Sequence, residues 1–131
     1  MKYLVLGAGM MGSAAAYDLA RSDAGNEVLL ADINLQTAKR SAESIGANVR
    51  PVRLDVNSHR DLLGAMSGCN AVVSAVSYSV NLQVTRAALE AGVHACDLGG
   101  NNDVVAKQIA LDGEAKAKGV TIVPNSGLAP P

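Results

Sequence analysis

Short aliphatic runs alternate with alanine-rich stretches of helical length along the whole chain, and this alternation limits the fold more than any other feature. The aliphatic runs predict strands at about residues 2–6, 27–31, 49–54, 71–75, 94–97 and 120–123. The stretches between them predict helices at about residues 10–22, 35–44, 60–66, 81–91 and 104–118. Because the apolar strands lack polar alternation, both of their faces are expected to be buried. The sequence therefore predicts an α/β fold, a doubly wound parallel six-stranded sheet of order 3-2-1-4-5-6 in three αβα layers.

The composition is typical of one compact domain. A chain of 131 residues suffices for a single core, and 49% hydrophobic against 18% charged residues excludes a disordered chain. The net charge of −1 gives no excess of cations for a phosphate backbone, and a chain with no Phe, no Trp and 3 Tyr offers few platforms for stacking bases. We therefore expect no nucleic-acid partner.

The cysteines and the N-terminus bear on metal binding, compartment and membrane contact. Cys69 and Cys96 lack a CxxC pairing and a histidine cluster, so the sequence predicts reduced core thiols and no metal site. The apolar stretch at the N-terminus is too short for a signal-peptide core or a membrane span. The expected setting is the cytoplasm, without membrane contact.

A glycine run with the spacing G-x-G-x-x-G directly follows the first predicted strand and begins the first predicted helix. Gly7 permits a tight turn, Gly9 lets the backbone approach a pyrophosphate, and Gly12 allows the helix to pack closely on the strand. Together with Met10 and Met11, the run places free N–H groups and the positive end of a helix dipole at one point. This context predicts a dinucleotide site, whereas an isolated run of this kind is equally compatible with a plain turn.

An acidic residue, Asp32, ends the second predicted strand about 20 residues after the glycine run. A carboxylate there accepts hydrogen bonds from adenosine ribose hydroxyls and repels a 2′-phosphate. Ile33, the next residue, supplies no positive charge for such a phosphate. The sequence predicts NAD in preference to NADP, with Lys39 and Arg40 as a reason to keep NADP open. The structural alternative for Asp32 is a helix cap, for which Asn34 is better placed.

Other strand ends supply further candidates, because ligands of a doubly wound sheet lie at the carboxyl edge where the strand order reverses. Asp55 and Val56 are expected at the adenine, and a structural aspartate that stabilises the next turn is an equal alternative. The residues expected on the nicotinamide side are Val76, Ser77 and Tyr78 after the fourth strand, and Asp97, Leu98 and Gly99 after the fifth. Asn81 is predicted as a helix cap in preference to a cofactor ligand.

Two other nucleotide signatures are missing. Ser13 stands where a P-loop requires lysine, which excludes that class of nucleoside-triphosphate hydrolase. None of the tyrosines is followed four positions later by lysine, so the Tyr-x-x-x-Lys pair of short-chain dehydrogenases is missing as well. Neither His59 nor His94 is predicted as a catalytic base, and the catalytic residues stay unassigned.

The motifs occur together in a known family. The glycine run, residues 31–34 and 54–56, and the segments AGVHACDLGG and VTIVPNSGLAP resemble the N-terminal cofactor domain of the saccharopine dehydrogenase family, with the lysine 6-dehydrogenase branch most similar. Many dinucleotide-binding proteins share the glycine run, whereas the two long segments are much more specific. The resemblance covers essentially the whole chain.

The resemblance implies NAD(P)-linked oxidation of an amino acid at the carbon that bears nitrogen, or reduction of the corresponding imine. It implies the same cofactor contacts by position as those given above. Members of the family continue past the Pro-x-x-Gly-x-x-Pro stretch into a substrate and dimerisation domain, whereas this chain ends at Pro131. We therefore expect residues 1–131 to be a dinucleotide-binding domain that lacks the substrate domain and has no useful turnover alone. A homo-oligomer stays open.

Two other functions are compatible with the sequence. One is a stand-alone NAD-sensing module, like the regulatory domains of potassium transport systems, which have this size and the same glycine-plus-acid pattern. The sixth predicted strand runs into Pro124, and such a rigid exit favours a crossing to a further domain. The other is a similar fold that binds a different nucleotide or an adenosyl ligand.

Overall fold

The computed structural model describes residues 1–127, which form one sheet with helices between its strands. The strands are β1 (Lys2–Leu6), β2 (Glu27–Asp32), β3 (Val49–Arg53), β4 (Ala71–Ser74), β5 (His94–Asp97) and β6 (Ile122–Val123). The helices are α1 (Met10–Ser22), α2 (Leu35–Ile45), α3 (His59–Met66), α4 (Asn81–Ala91), α5 (Asn102–Ile109) and α6 (Asp112–Lys118), with a 3₁₀ turn at Tyr78–Val80. The end of the segment that carries the family resemblance, residues 128–130, and Pro131 lie outside the described residues.

The strands pair in parallel in the order β3-β2-β1-β4-β5-β6. The chain runs outward from β1 to β3 and then crosses to β4, so the strand order reverses between β1 and β4. This confirms the predicted doubly wound, Rossmann-like α/β fold. The carboxyl ends of all these strands lie at one edge, and the loops that follow them carry the predicted site residues.

Helices cover both faces of the sheet and complete the three layers. One face buries a cluster from α1, α2 and the neighbouring strands, which includes Val5, Ala16, Val28, Leu30, Ala38 and Ala42. The other face buries a cluster from α3, α4 and the sheet, which includes Leu4, Leu6, Leu62, Met66, Val72 and Ala88. Both clusters consist of aliphatic and small side chains, as a chain with almost no aromatic residues requires.

The prediction of one helix over residues 104–118 is wrong. Two helices, α5 and α6, occupy this part of the chain, separated by a turn at residues 110–111. Gly113 would weaken the interior of a long helix by about 1 kcal/mol relative to alanine. The break puts Asp112 and Glu114 into the first turn of α6, where they stabilise the positive end of its dipole.

The predicted sixth strand is too long. Only Ile122 and Val123 pair with β5, whereas Val120 packs on Leu89 and Ala115 in a small cluster between α4 and α6. The other predicted bounds differ from the observed ones by no more than a single residue at either end.

The contact between α1 and the turn that precedes it leaves no room for a side chain. A Cβ on Gly12 would lie 1.6 Å from the carbonyl oxygen of Gly7 and 3.5 Å from the Cβ of Ala75. Because the clash is with backbone, a rotation of a flexible side chain cannot relieve it. Gly12 therefore fixes how closely α1 packs on β1 and β4.

We expect Gly12→Ala to lower the free energy of unfolding by at least about 2 kcal/mol, because overpacking against fixed backbone forces the helix outward. Thermal and urea unfolding followed by circular dichroism measure this loss. The matched control is Gly64→Ala in α3, where a Cβ meets nothing within 4 Å and should stabilise the helix by about 0.5–1 kcal/mol. Equal effects of the two substitutions would contradict the packing role of Gly12.

Candidate functional site

The turn from β1 into α1 is built from backbone. Gly7 has a φ of +98°, which L side chains rarely adopt, and its N–H donates to the carbonyl oxygen of Ala31 at 2.7 Å. Gly9 is the residue before α1, and no side chain caps the first turn of the helix. A Cβ on Gly9 would meet nothing within 4 Å. The start of α1 is therefore open to a ligand, and its N–H groups and dipole favour an anionic one.

Large apolar side chains are exposed along the same edge of the sheet. Met10 leaves 88% of its surface exposed, and Met11, Ile33 and Tyr78 are also exposed. Single exposed apolar side chains are common, but several that are exposed along one edge often mark a ligand or partner site. Their position around the start of α1 and the ends of β2 and β4 suits the planar rings of a dinucleotide.

Asp32 connects the end of β2 to the glycine turn. Its Oδ2 accepts a hydrogen bond from the Ala8 N–H at 2.9 Å, and its Oδ1 accepts one from the Asn34 N–H at 2.8 Å. The helix-cap alternative is wrong for Asp32, because Asn34 caps α2 by accepting from the N–H groups of Gln36 and Thr37. Each carboxylate oxygen keeps a second lone pair, so the group retains capacity to accept from hydroxyl groups.

A groove at the carboxyl edge brings together the residues that were predicted to contact adenosine, along with Gly7 of the turn and Val76, which was predicted on the nicotinamide side. It has a volume of about 240 Å³, and the predicted residues that line it are Gly7, Asp32, Ile33, Asp55, Val56 and Val76. They come from the ends of four neighbouring strands, β1 to β4. The groove therefore combines aliphatic walls with two carboxylates beside the start of α1.

Asp55 also shapes the loop after β3. Its Oδ1 accepts from the Asn57 N–H at 2.9 Å, and its carbonyl oxygen accepts from the Ser58 N–H at 3.0 Å. The structural alternative for Asp55 is thus confirmed. Its place in the groove is compatible with a contact to adenine as well, because both carboxylate oxygens retain lone pairs.

The loops after β4 and β5 meet on the other side of the strand-order reversal. Ser77 starts the 3₁₀ turn by accepting a hydrogen bond from the Ser79 N–H at 3.3 Å. Tyr78 follows it, and its Cβ would lie 3.2 Å from a Cβ on Gly100. The predicted nicotinamide-side segment 76–78 therefore lies against Gly100, the residue that directly follows the second such segment, 97–99.

Asp97 is buried, with 4% of its surface exposed, and its carboxylate is used inside the protein. Oδ1 accepts from the N–H groups of Gly99 and Asn125 at 2.8 and 3.0 Å, and Oδ2 accepts from the Gln108 amide at 2.6 Å. Asp97 thus joins the loop after β5, the segment after β6 and α5. Its predicted contact with a nicotinamide stays a prediction.

A buried polar chain extends from Asp97 into α4, and the sequence analysis missed it. The Gln108 amide also donates to the Thr85 hydroxyl at 2.8 Å. The predicted capping role of Asn81 is wrong, because its Oδ1 accepts from the Ser74 hydroxyl at 3.0 Å inside the protein. Polar residues at positions 81 and 85, one turn apart on the same helix face as Val84 and Ala88, were the signal for this network.

The histidines and cysteines lie outside the groove. His59 Nε2 pairs with Glu90 at 2.7 Å, and His94 Nδ1 accepts from the Thr121 N–H at 3.0 Å. Cys69 is buried as predicted, whereas Cys96 is only half-buried. Burial raises the pKa of both thiols, so they are poor nucleophiles at neutral pH.

Residues 1–127 lack two other classes of functional feature. No group of three or more His, Cys, Asp and Glu there could hold a metal ion. Nor does that part of the chain contain a helix both long and apolar enough to cross a membrane.

A larger cavity, of about 470 Å³, lies between α5, α6 and β6. It is lined mainly by aliphatic side chains and contains none of the predicted site residues. The smaller groove is the stronger candidate, because a glycine turn, an open helix start and two carboxylates meet there.

Comparison with solved structures agrees with the fold. Apo saccharopine dehydrogenase (L-Glu forming) from Saccharomyces cerevisiae matches with a TM-score of 0.81 and 20% identity, over 97% of this chain and 27% of that chain. GenD2 from gentamicin A biosynthesis, in complex with NAD, matches with a TM-score of 0.68 and 18% identity, over 95% of this chain and 34% of that chain. Triphenylmethane reductase from Citrobacter sp., complexed with NADP(H), matches with a TM-score of 0.65 and 19% identity, over 92% of this chain and 48% of that chain.

The TM-scores show a shared fold and, at such low identity, no more than that. The chain spans less than half the length of each of these three proteins. The family described as saccharopine dehydrogenase NADP binding domain matches residues 3–123, nearly the whole chain. This chain therefore belongs to that family and is an NAD(P)-binding domain of saccharopine dehydrogenase-like oxidoreductases.

Proposed function

We propose that this chain is the NAD-binding domain of a dehydrogenase that acts on a C–N bond of a lysine-type amino acid. The observation that carries the proposal is the groove beside the open start of α1, where Asp32 and Asp55 meet the glycine turn. Bound NAD would supply the hydride acceptor for the oxidation. The lysine-type substrate is supported by the sequence resemblance to the lysine 6-dehydrogenase branch.

The proposed layout follows the order of the strand ends. The backbone from Gly9 to Gly12 holds the pyrophosphate, and Asp32 accepts from the ribose hydroxyls beside Ile33. Asp55 and Val56 contact the adenine. The nicotinamide side is formed by Val76, Ser77 and Tyr78 together with Asp97, Leu98 and Gly99. The open space over Gly9 supports the pyrophosphate position, because the backbone there is accessible.

NAD is proposed in preference to NADP because of charge. Asp32 presents a carboxylate where the ribose hydroxyls would lie, and a 2′-phosphate would be repelled by it. We also propose a cytoplasmic setting, since both described cysteines are free thiols. The full-length protein is proposed to carry the substrate-binding part and any homo-oligomer contact.

The proposal is tested by replacing the glycine over which the pyrophosphate would lie. Gly9→Val should fold normally, since a Cβ there meets no protein atom within 4 Å, and should lose NAD binding because its side chain fills the ligand's position. Calorimetric titration with NAD measures the loss, and Gly64→Val is the matched control. NAD binding by a folded Gly9→Val variant as tight as that of the parent would refute the site.

Removing the charge of Asp32 should lower the affinity for NAD by about tenfold, because hydrogen bonds to a charged group contribute roughly 1.5–3 kcal/mol. NADP should lose less affinity or gain some, since the repulsion disappears. Asp32→Asn is titrated with both dinucleotides. Asp23→Asn is the matched control, because Asp23 also accepts a main-chain N–H, from Gly25, at the opposite edge of the sheet. An unchanged NAD affinity in Asp32→Asn would remove Asp32 from the site.

Residues 1–131 are proposed to bind the cofactor without turning over lysine. Positioning of a substrate contributes about 7–11 kcal/mol of barrier reduction in well-oriented systems, and the solved relatives contain much chain beyond the part matched here. The expected result is no NADH absorbance above the blank when lysine and NAD are added to the purified chain. Steady NADH production, with longer contaminating protein excluded by mass, would contradict this.

A further inference from the structure

We infer that Arg53 is a specificity-determining residue of the dinucleotide site. Arg53 lies beside Asp32 and binds the 2′-phosphate of NADP, so that the domain accepts both dinucleotides. The inference rests on the proposed dinucleotide function and concerns only which dinucleotide that site accepts. The Asp32 carboxylate favours NAD, and the positive charge of Arg53 has the opposite effect.

Strand register brings the two residues together. Arg53 is the last residue of β3, and its partner in the parallel β2·β3 pair is Asp32. Neighbouring strands run about 4.8 Å apart. Val28 and Val49, which are also register partners, belong to the cluster under α1 and α2. Since strand residues an even number of positions apart share a face, Asp32 and Arg53 lie on that same face, next to the start of α2.

The guanidinium of Arg53 is uncommitted. Its side chain is exposed, and within residues 1–127 no ion pair or side-chain hydrogen bond involves it. The Asp32 carboxylate is held by the N–H groups of Ala8 and Asn34 instead. A planar guanidinium can donate two parallel hydrogen bonds to a phosphate, so a free arginine at this point matches the added group of NADP.

The other nearby cations fit less well. Lys39 lines a surface cavity with Val49 and Pro51, which are further from the carboxyl end of β3 than Arg53. Arg40 lies two residues from both buried positions of α2, 38 and 42, so it is on the face of that helix that is turned away from the sheet. Arg53 is therefore the cation that the sheet itself places beside the ribose-binding carboxylate.

The two charges together predict that the preference for NAD over NADP is small. Asp32 favours the free ribose hydroxyls of NAD, and Arg53 offsets its repulsion of a 2′-phosphate. We expect the parent to bind NADP within about tenfold of NAD, a difference of about 1.4 kcal/mol. The NADP affinity should fall more steeply with added salt than the NAD affinity, because exposed charges are screened.

The test is a titration of NAD and NADP into the parent, Arg53→Gln, Arg53→Lys and Arg50→Gln at low and high salt. Arg50→Gln is the matched control, since Arg50 is exposed on the same strand and an odd number of positions from Arg53, so it lies on the opposite face. Arg53→Gln should weaken NADP about fivefold, as expected for one exposed charge pair of about 1 kcal/mol, with less than a twofold change for NAD. Arg53→Lys should retain part of the NADP affinity.

Three results would overturn the inference: an unchanged ratio of NADP to NAD affinity in Arg53→Gln, an equal change of that ratio in Arg50→Gln, or a parent that binds NAD and no NADP. Failure of the proposed function gives a different result, since then the parent binds neither dinucleotide. Thermal unfolding of each variant shows whether a loss of NADP binding reflects unfolding; a parent-like melting temperature together with the selective loss supports the inference.

Discussion

The close contact between Gly12 and the carbonyl group of Gly7 is the constraint on which the site depends. It brings the start of α1 against β1 and β4, where the strand order reverses. The position of α1 then determines where its free N–H groups lie, and the Asp32 carboxylate holds the turn in place through the Ala8 N–H. A side chain at position 12 would move the helix and, with it, the backbone that is proposed to bind the pyrophosphate.

Asp97 has a corresponding role on the other side of the reversal. Its buried carboxylate accepts hydrogen bonds from two main-chain N–H groups and from the Gln108 amide, so three separate segments meet at the end of β5. A buried carboxylate is stable there because each contact is a hydrogen bond to the charged group. Asp32 and Asp97 therefore both accept hydrogen bonds from main-chain N–H groups, but of these two residues only Asp32 lines the groove.

Charge at the end of β2 is balanced by the next strand. A parallel sheet aligns the ends of neighbouring strands, so an acidic residue on β2 and a basic residue on β3 become neighbours without any sequence motif. We propose that selectivity between dinucleotides depends on this pair of side chains and on salt, rather than on one residue. On that proposal, the family's NADP-binding description is compatible with the acidic end of β2, which is proposed to favour NAD.

The sequence by itself determined the doubly wound fold and most bounds of the strands and helices. It also determined the glycine and acidic positions that line the groove. Hydrophobic periodicity and short-range glycine geometry are local properties, so both can be recognised in the sequence. It did not predict the break between α5 and α6, where weak local preferences decided against a longer helix. The Asp97 network and the neighbourhood of Arg53 and Asp32 arise only when strands align in register. Contacts between residues distant in sequence depend on that register, which no local pattern encodes, and so the tertiary structure alone decided them.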